Sequence, residues 1–427
     1  KNLYTTKIIL FFMEYYPRKI EEKLDKWLKR KEFILIRGPR QAGKTTLLLR
    51  LKEKMKNSEY ITLEDPEWRD ALQKDVKQVV RTLLNQNKSL LLLDEAQYIK
   101  DIGRKLKLIY DLYAKKLKVI ATGSGSFDVK INVGKHLVGR AIYFELMPLS
   151  FEEFLWWKNK KLYETFKNYV SSFQQFLSGG SLDLKPMFER SFYSLLEEYI
   201  IYGGFPAVVK EKDIEMKKNI LRNLEITYLE KDVGFFFGVR QVEKFRNLLK
   251  YLSFNLGEII KASTVCSTLT LDYKTLENYL EILSQTFILE LIPPFYENIS
   301  TEVRKSKKVY FYDTGLRNAI LNNFVPLDSR KDRGHLLENF IWIQLRQMLD
   351  ELKFWRTTDK AEIDFVGFKD GELFPIEVKT TESKISKGMI RFIQAYEPKV
   401  AIVFTFSKFG VESVGKTKVA FIPHFFI

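Results

Sequence analysis

The sequence predicts an α/β fold: a mainly parallel sheet at the N-terminal end, a helical middle and an α+β unit at the C-terminal end. Three observations carry this. Short apolar runs alternate with helical patterns through the first 150 residues, as strands and crossover helices do. A glycine-rich turn, Gly38 to Thr46, joins one such run to a helical pattern. Near the other end, Asp370-Gly371 stands between two stretches of alternating polarity, a strong signal for a two-residue hairpin.

Strands are expected at Phe33–Arg37, Tyr60–Leu63, Leu90–Asp94, Lys118–Thr122 and Ala141–Leu146, with a helix from Thr45 to about Met55. From Phe151 to about Asp232 the pattern turns helical and aromatic, broken at Ser178–Ser181 and Gly203–Pro206. A helical segment follows from about Val242 to Gln285, then strand-like Phe287–Ile292 and Lys308–Tyr312. Beyond Gly334 come one long amphipathic helix and further strands. The expected domains are an N-terminal extension (1–15), a nucleotide-binding core (16–150), a helical lid (151–235), a winged-helix-like domain (236–312) and a C-terminal α+β domain (313–427). The chain opens on Lys1, and Met13 precedes the first amphipathic pattern, so residues 1–12 read as an upstream extension with translation starting at Met13.

Composition narrows the class. With 427 residues, 45% of them hydrophobic, the chain is too long for one core and implies two to four domains. No apolar run approaches the ~18 residues of a membrane span, so no membrane partner is expected. A single cysteine, Cys266, precludes an internal disulfide and fits a cytoplasmic protein. One cysteine and three histidines argue against a structural zinc site. The net charge of +16 points to a polyanionic partner, most simply DNA, although a generally lysine-rich proteome would give the same excess.

Gly38-Pro39-Arg40-Gln41-Ala42-Gly43-Lys44-Thr45-Thr46 is the pattern of a phosphate-binding loop, and its flanking strand and helix make it specific. Backbone N–H groups would wrap the phosphates of ATP or ADP at a helix N-terminus. Lys44 is then placed for the β- and γ-phosphates, and the Thr45 hydroxyl for Mg²⁺. The run Leu90–Leu93 reads as a buried parallel strand ending in Asp94 and Glu95. Asp94 is expected to hold the Mg²⁺ shell and Glu95 to orient or deprotonate the attacking water. The next strand ends in Ala121-Thr122-Gly123-Ser124-Gly125-Ser126, where Ser124 or Thr122 would meet the γ-phosphate or the water; an ordinary Gly/Ser turn is the alternative.

These blocks, with Gly139-Arg140, the stretch Met147–Phe154 and Tyr202-Gly203-Gly204-Phe205-Pro206, resemble a prokaryotic family of AAA-type ATPases. The resemblance implies a P-loop AAA-type sheet with a helical lid at the Tyr202–Pro206 block. It makes Arg140 a candidate cationic sensor or arginine finger, the latter requiring a homo-oligomer; a structural salt bridge is the alternative. The loop residues Pro39–Ala42 depart slightly from the family's usual Arg-Arg, and Trp156–Met187 is longer than usual.

Ala262–Leu269 and Asp272–Gln285 read as a helix-turn-helix followed by a wing. The second helix has an apolar stripe (Leu276, Tyr279, Leu280, Leu283), and its other face mixes Lys274, Thr275 and Asn278 with Glu277 and Glu281. Acidic groups repel phosphate, so a structural role outweighs sequence-specific reading.

In the C-terminal stretch, centring the turn on Asp370-Gly371 places Asp364 opposite Glu377 and Glu362 opposite Lys379, all on one face. Opposed carboxylates repel unless a cation lies between them. A divalent metal, Mg²⁺ or Mn²⁺, would satisfy Asp364 and Glu377, with Lys379 polarising a water or stabilising phosphate charge. The pattern resembles the PD-(D/E)xK nuclease superfamily, in which a helix Glu, here Glu338, completes the metal site. The ATPase family named above commonly ends in such a domain, and the resemblance runs from about Tyr16 to the end. It implies an ATPase coupled to a metal-dependent DNase. A nucleotide-switched scaffold with an inactive nuclease-like domain and a DNA translocase without cleavage are the alternatives.

Overall fold

The computed structural model describes residues 15–124, 136–298, 300, 302, 305–381, 384–406 and 408–427. The expected extension 1–12 and Met13 lie outside these, as do Gly125 and Ser126. The chain divides into two compact units, Lys1–Met147 and Pro148–Ile427.

In the first unit, β1 (Phe33–Arg37), β2 (Ser58–Thr62), β3 (Leu90–Asp94), β4 (Lys118–Gly123) and β5 (Ala141–Glu145) form one sheet in the order β2-β3-β4-β1-β5. Every pairing is parallel. Successive residues of β1 face opposite cores. Phe33 and Leu35 pack with the helices Pro66–Lys74, Val76–Asn85 and Ile102–Tyr113, while Ile34 and Ile36 pack with Ile20–Leu28 and Lys44–Lys54. Both faces are covered, which is why the central strands read as continuous apolar runs rather than alternating ones. Strand order carries β1 between β4 and β5, so the loop after β1 emerges mid-sheet, beside the end of β4 and one strand from the end of β3.

The second unit opens with helices Phe151–Lys158, Lys160–Leu177, Glu189–Tyr202, Pro206–Lys210 and Ile214–Thr227, the last running into a π-helical turn, Tyr228–Phe236. Ser150 starts the first of them in a capping box with Glu153. A helix (Val242–Phe254), β6 (Ile259–Ile260), helices Ala262–Leu269 and Tyr273–Gln285, β7 (Leu289–Ile292) and β8 (Lys307–Phe311) follow. These strands pair antiparallel in the order β6-β8-β7. On the helix Tyr273–Gln285 the buried stripe is Leu276, Tyr279, Ile282 and Leu283, with Leu280 only partly buried. Asp272 caps this helix rather than beginning it.

After the helices Thr314–Ile320 and Arg333–Leu345, a mixed six-stranded sheet forms from β9 (Glu351–Arg356), β10 (Glu362–Lys369), β11 (Glu372–Val378), β12 (Val400–Thr405), β13 (Gly410–Val414) and β14 (Thr417–Pro423), in the order β13-β14-β12-β11-β10-β9. The hairpin register is the expected one: Phe365 pairs with Ile376 and Lys369 with Glu372, around Asp370 and Gly371 at φ 50° and 80°.

One expectation changes. Arg333–Leu345 is not amphipathic; every residue from Leu336 to Leu345 is buried. Asn339 finds its partners inside the protein, whereas Gln344 Nε2 is buried without a hydrogen bond. Asn339 accepts from the Phe311 N–H (2.7 Å) and donates to the Phe311 carbonyl (2.8 Å), completing the edge of β8, and Gln344 accepts from the Phe151 N–H (3.3 Å). The Gly203-Gly204 block, read as part of a lid, is a close-packing node. A Cβ on Gly203 would fall 2.2 Å from the Asp313 carboxylate, and one on Gly204 would fall 2.3 Å from the Leu149 carbonyl. Asp313, fully enclosed there, accepts from the N–H groups of Gly204 and Leu316, and burial still pushes its carboxyl up to about 6.

Of two hydrophobic cores among the described residues of the second unit, the smaller packs Met389, Phe392 and Ile393 against Ile363, Val366 and Val403, and the larger runs from Leu149 to Ile427. The final residues join it to the helices: Phe425 stacks on Phe192 (4.7 Å between centroids) and Phe426 on Tyr169 (4.5 Å).

Candidate nucleotide site and carboxylate cluster

The turn after β1 has the backbone that its glycines permit. Gly38 lies at φ 155°, and a Cβ there would meet the Leu146 carbonyl oxygen at 2.1 Å. Gly43, at φ 101°, precedes the helix Lys44–Lys54. Gly38→Ala is therefore expected to lower the stability of the first unit by roughly 2–4 kcal/mol, measured by chemical denaturation; an unchanged midpoint would contradict this packing.

Lys44 is buried, and its ammonium donates to the carbonyls of Gly38 (2.9 Å) and Pro39 (2.7 Å), across the mouth of the loop. From outside the loop, Arg18 donates to the Ala42 and Met147 carbonyls, both at 2.8 Å, pinning the loop to the end of the unit. Thr45, exposed at the first helical turn, donates its hydroxyl to Asp94 Oδ2 at 2.6 Å.

Asp94 is buried and held by four donors. Besides Thr45, these are the Tyr60 hydroxyl (2.9 Å, Oδ2), the Thr122 hydroxyl (Oδ1) and the Glu95 N–H (3.1 Å, Oδ1). A hydroxyl beside a fixed carboxylate is the hard-oxygen donor set that suits Mg²⁺, so Thr45 and Asp94 fit the ion expected with ATP. Glu95 sits in the left-handed region at φ 54°, uncommon for a residue with a side chain. Burial, with Asp94 next to it, pushes its carboxyl above the usual range, against the pull of Lys44 and Arg40. Gln97 donates its amide to the Glu95 carboxylate and to Ser124 Oγ (3.2 Å). Ser124 is thus tied to Glu95 through an amide that sequence reasoning missed, and Thr122 belongs to Asp94. Only the string Asp-Glu-Ala-Gln hinted at Gln97.

Arg140 is brought to none of these groups. It immediately precedes β5, whose first residue, Ala141, pairs with Phe33 at the start of β1, whereas the phosphate loop leaves the far end of β1. A five-residue strand is roughly 16 Å long, and Arg140 is paired at 2.8 Å with Asp111. Within one chain Arg140 makes the structural salt bridge named as the alternative.

In the second unit, Glu338 and Glu377 lie close enough to Asp364 to act on its carboxyl, and Lys379 pairs with Glu377. Among the described residues, no group of three or more His, Cys, Asp or Glu is arranged to hold a metal ion. Instead Lys308, from β8, places its ammonium 3.2 Å from Glu338 Oε1 and 2.6 Å from Glu362 Oε1. The Tyr310 hydroxyl donates to the same Glu338 oxygen. Asp364 accepts from the Val378 N–H (2.8 Å); loss of solvent and the Glu338 charge push its carboxyl up to about 7. Glu377, also pushed up by burial, accepts from the Ser386 hydroxyl and pairs with Lys379 at 3.4 Å. Of the expected set of Glu338, Asp364 and Glu377 around Mg²⁺ or Mn²⁺, Glu338 is taken up by a lysine that sequence reasoning missed, while Glu377 Oε2 is buried without a hydrogen bond.

Three stretches match known families: residues 30–155 an AAA domain, residues 193–326 a domain of unknown function (DUF8612), and residues 333–425 a second domain of unknown function (DUF4143). An uncharacterised protein of Methanocaldococcus jannaschii is 29% identical over 75% of this chain and 70% of its own length. One from Haemophilus influenzae is 24% identical over 81% of each chain. Among solved structures, the ADP form of the Aeropyrum pernix ORC2 protein covers 73% of this chain and 96% of its own at 15% identity, with a TM-score of 0.33, too loose to define a shared fold. The stretch that matches the AAA domain holds the phosphate loop and the strand ending in Asp94.

Proposed function

We propose that this chain is a magnesium-dependent ATPase whose turnover is coupled to DNA. The observation that carries the hydrolytic half is the row Thr45–Asp94–Glu95–Gln97–Ser124, in which a carboxylate fixed by four donors adjoins a second, proton-hungry carboxylate. Lys44 and the loop N–H groups bind the phosphates, Thr45 and Asp94 hold the metal, and Glu95, oriented by Gln97, accepts the proton of the attacking water. Mg²⁺, when bound, supplies positive charge against the phosphate oxygens. Support for DNA comes from the net charge of +16 and from the winged-helix-like succession of Ala262–Leu269, Tyr273–Gln285, β7 and β8.

For residues 333–425, a nuclease-like fold that binds without cutting is favoured over a nuclease by one observation, the Lys308 ammonium between Glu338 and Glu362. The test is ATP turnover by the full chain with Mg²⁺, with and without duplex, single-stranded and branched DNA, and with the labelled DNA followed for cleavage. DNA-stimulated turnover without cleavage is expected. DNA that neither binds nor changes turnover would sink the coupling, and cleavage lost in Asp364→Ala would restore the nuclease. Mg²⁺ chelation is expected to stop turnover.

A further inference from the structure

We infer that the Lys308 ammonium is the resident cation of the Glu338–Glu362 cluster, clasping the C-terminal sheet to β8 and keeping a divalent metal out. The inference rests on the nuclease-like reading of residues 333–425. Lys308 does not belong to that stretch; its backbone is fixed in the three-stranded sheet, paired with Ile259 of β6 and Ile292 of β7. Its side chain, 5% exposed, reaches Glu338 on the helix Arg333–Leu345 and Glu362 at the start of β10. A lysine has three donors and no acceptor, and two of the three are spent on carboxylates from two different elements. Tyr310, two residues along β8 and so on the same face, adds its hydroxyl to Glu338.

Of the remaining acidic groups, Asp364 accepts from the Val378 N–H and Glu377 from the Ser386 hydroxyl, while Glu377 Oε2 is buried without a hydrogen bond, with the Lys379 ammonium 3.4 Å away. A divalent ion entering here would meet a fixed positive charge at contact distance and would strip it of its partners. Removing one member of a buried ion pair leaves the other uncompensated, which is strongly unfavourable. Between Glu338 and Glu362 the place of a cation is therefore taken by a side chain, and these two carboxylates serve as the socket of a clasp.

Manganese titration of the full chain without nucleotide, followed by Mn²⁺ electron paramagnetic resonance, tests this. The wild type is expected to show no Mn²⁺ binding that depends on Asp364 up to millimolar ion. Lys308→Gln, of similar length but uncharged, is expected to bind Mn²⁺ at least about tenfold more tightly, and adding Asp364→Asn should remove that gain. Mn²⁺ bound by the wild type and lost in Asp364→Asn overturns the inference, as does a folded Lys308→Gln that gains nothing. Should Lys308→Gln fail to fold by circular dichroism, the wild type against Asp364→Asn decides alone: equal Mn²⁺ uptake supports the clasp, and lower uptake in the variant refutes it. Failure of the ATPase–DNA reading would show in turnover and DNA binding, which this titration does not touch.

Discussion

Glu95→Gln is expected to lower ATP turnover by about 10²–10⁴-fold while leaving nucleotide binding intact. The glutamine keeps the size of the side chain and a partner for Gln97, but it cannot take a proton from water. Lys44→Ala should lower turnover by about 10²–10³-fold for a different reason, loss of the cation at the phosphates, and should weaken ATP binding as well. Fluorescent-nucleotide binding alongside a phosphate-release assay separates the two. If Glu95→Gln turns over at the wild-type rate, the water is activated elsewhere and the row from Asp94 to Ser124 is only structural.

Acid should open the second unit at His424. This ring is fully buried against Phe406, 4.4 Å between centroids, and burial together with the Arg333 charge holds its pKa down at about 3, against 6.5 for a free histidine. The folded state therefore favours the neutral ring. The resulting stability is fully present above pH 6.5 and is lost as pH falls through about 3. At about 1.4 kcal/mol per pH unit, the loss approaches 4–5 kcal/mol. Asp313, pushed up to about 6, works in the opposite sense: its cost appears as pH rises from 3.8 to 6, so acid relieves it. Denaturant midpoints at pH 7, 5 and 3.5 should fall for the wild type and fall less for His424→Phe. Equal slopes in the two proteins would mean that another group controls acid unfolding.

Much of the fold was legible because its signals are local. The β3 run ending in Asp94, the glycine loop opening a helix and the Asp370-Gly371 turn each announce geometry within a few residues, and strands and register followed. Arg333–Leu345 misled because Glu338, Asn339 and Gln344 look like a wet face, and only tertiary contacts show their partners inside. Lys308 and Tyr60 were illegible for the same reason. Each acts on a carboxylate 30 or more residues away, and nothing in its own neighbourhood marks it. Arg140 shows the limit of resemblance: the Gly-Arg pair was recognised, but its position at the wrong end of β5 depends on strand direction.

The stacking of Phe425 and Phe426 on Phe192 and Tyr169 bears on how the chain is made. On the ribosome, the helices Lys160–Leu177 and Glu189–Tyr202 emerge long before the rings that cover them. Until β14 is complete, their aromatic faces stay open to water and to other nascent chains. Closing contacts so distant in sequence is slow. A product interrupted before Phe425 would carry an exposed aromatic surface, the kind that chaperones hold and proteases clear.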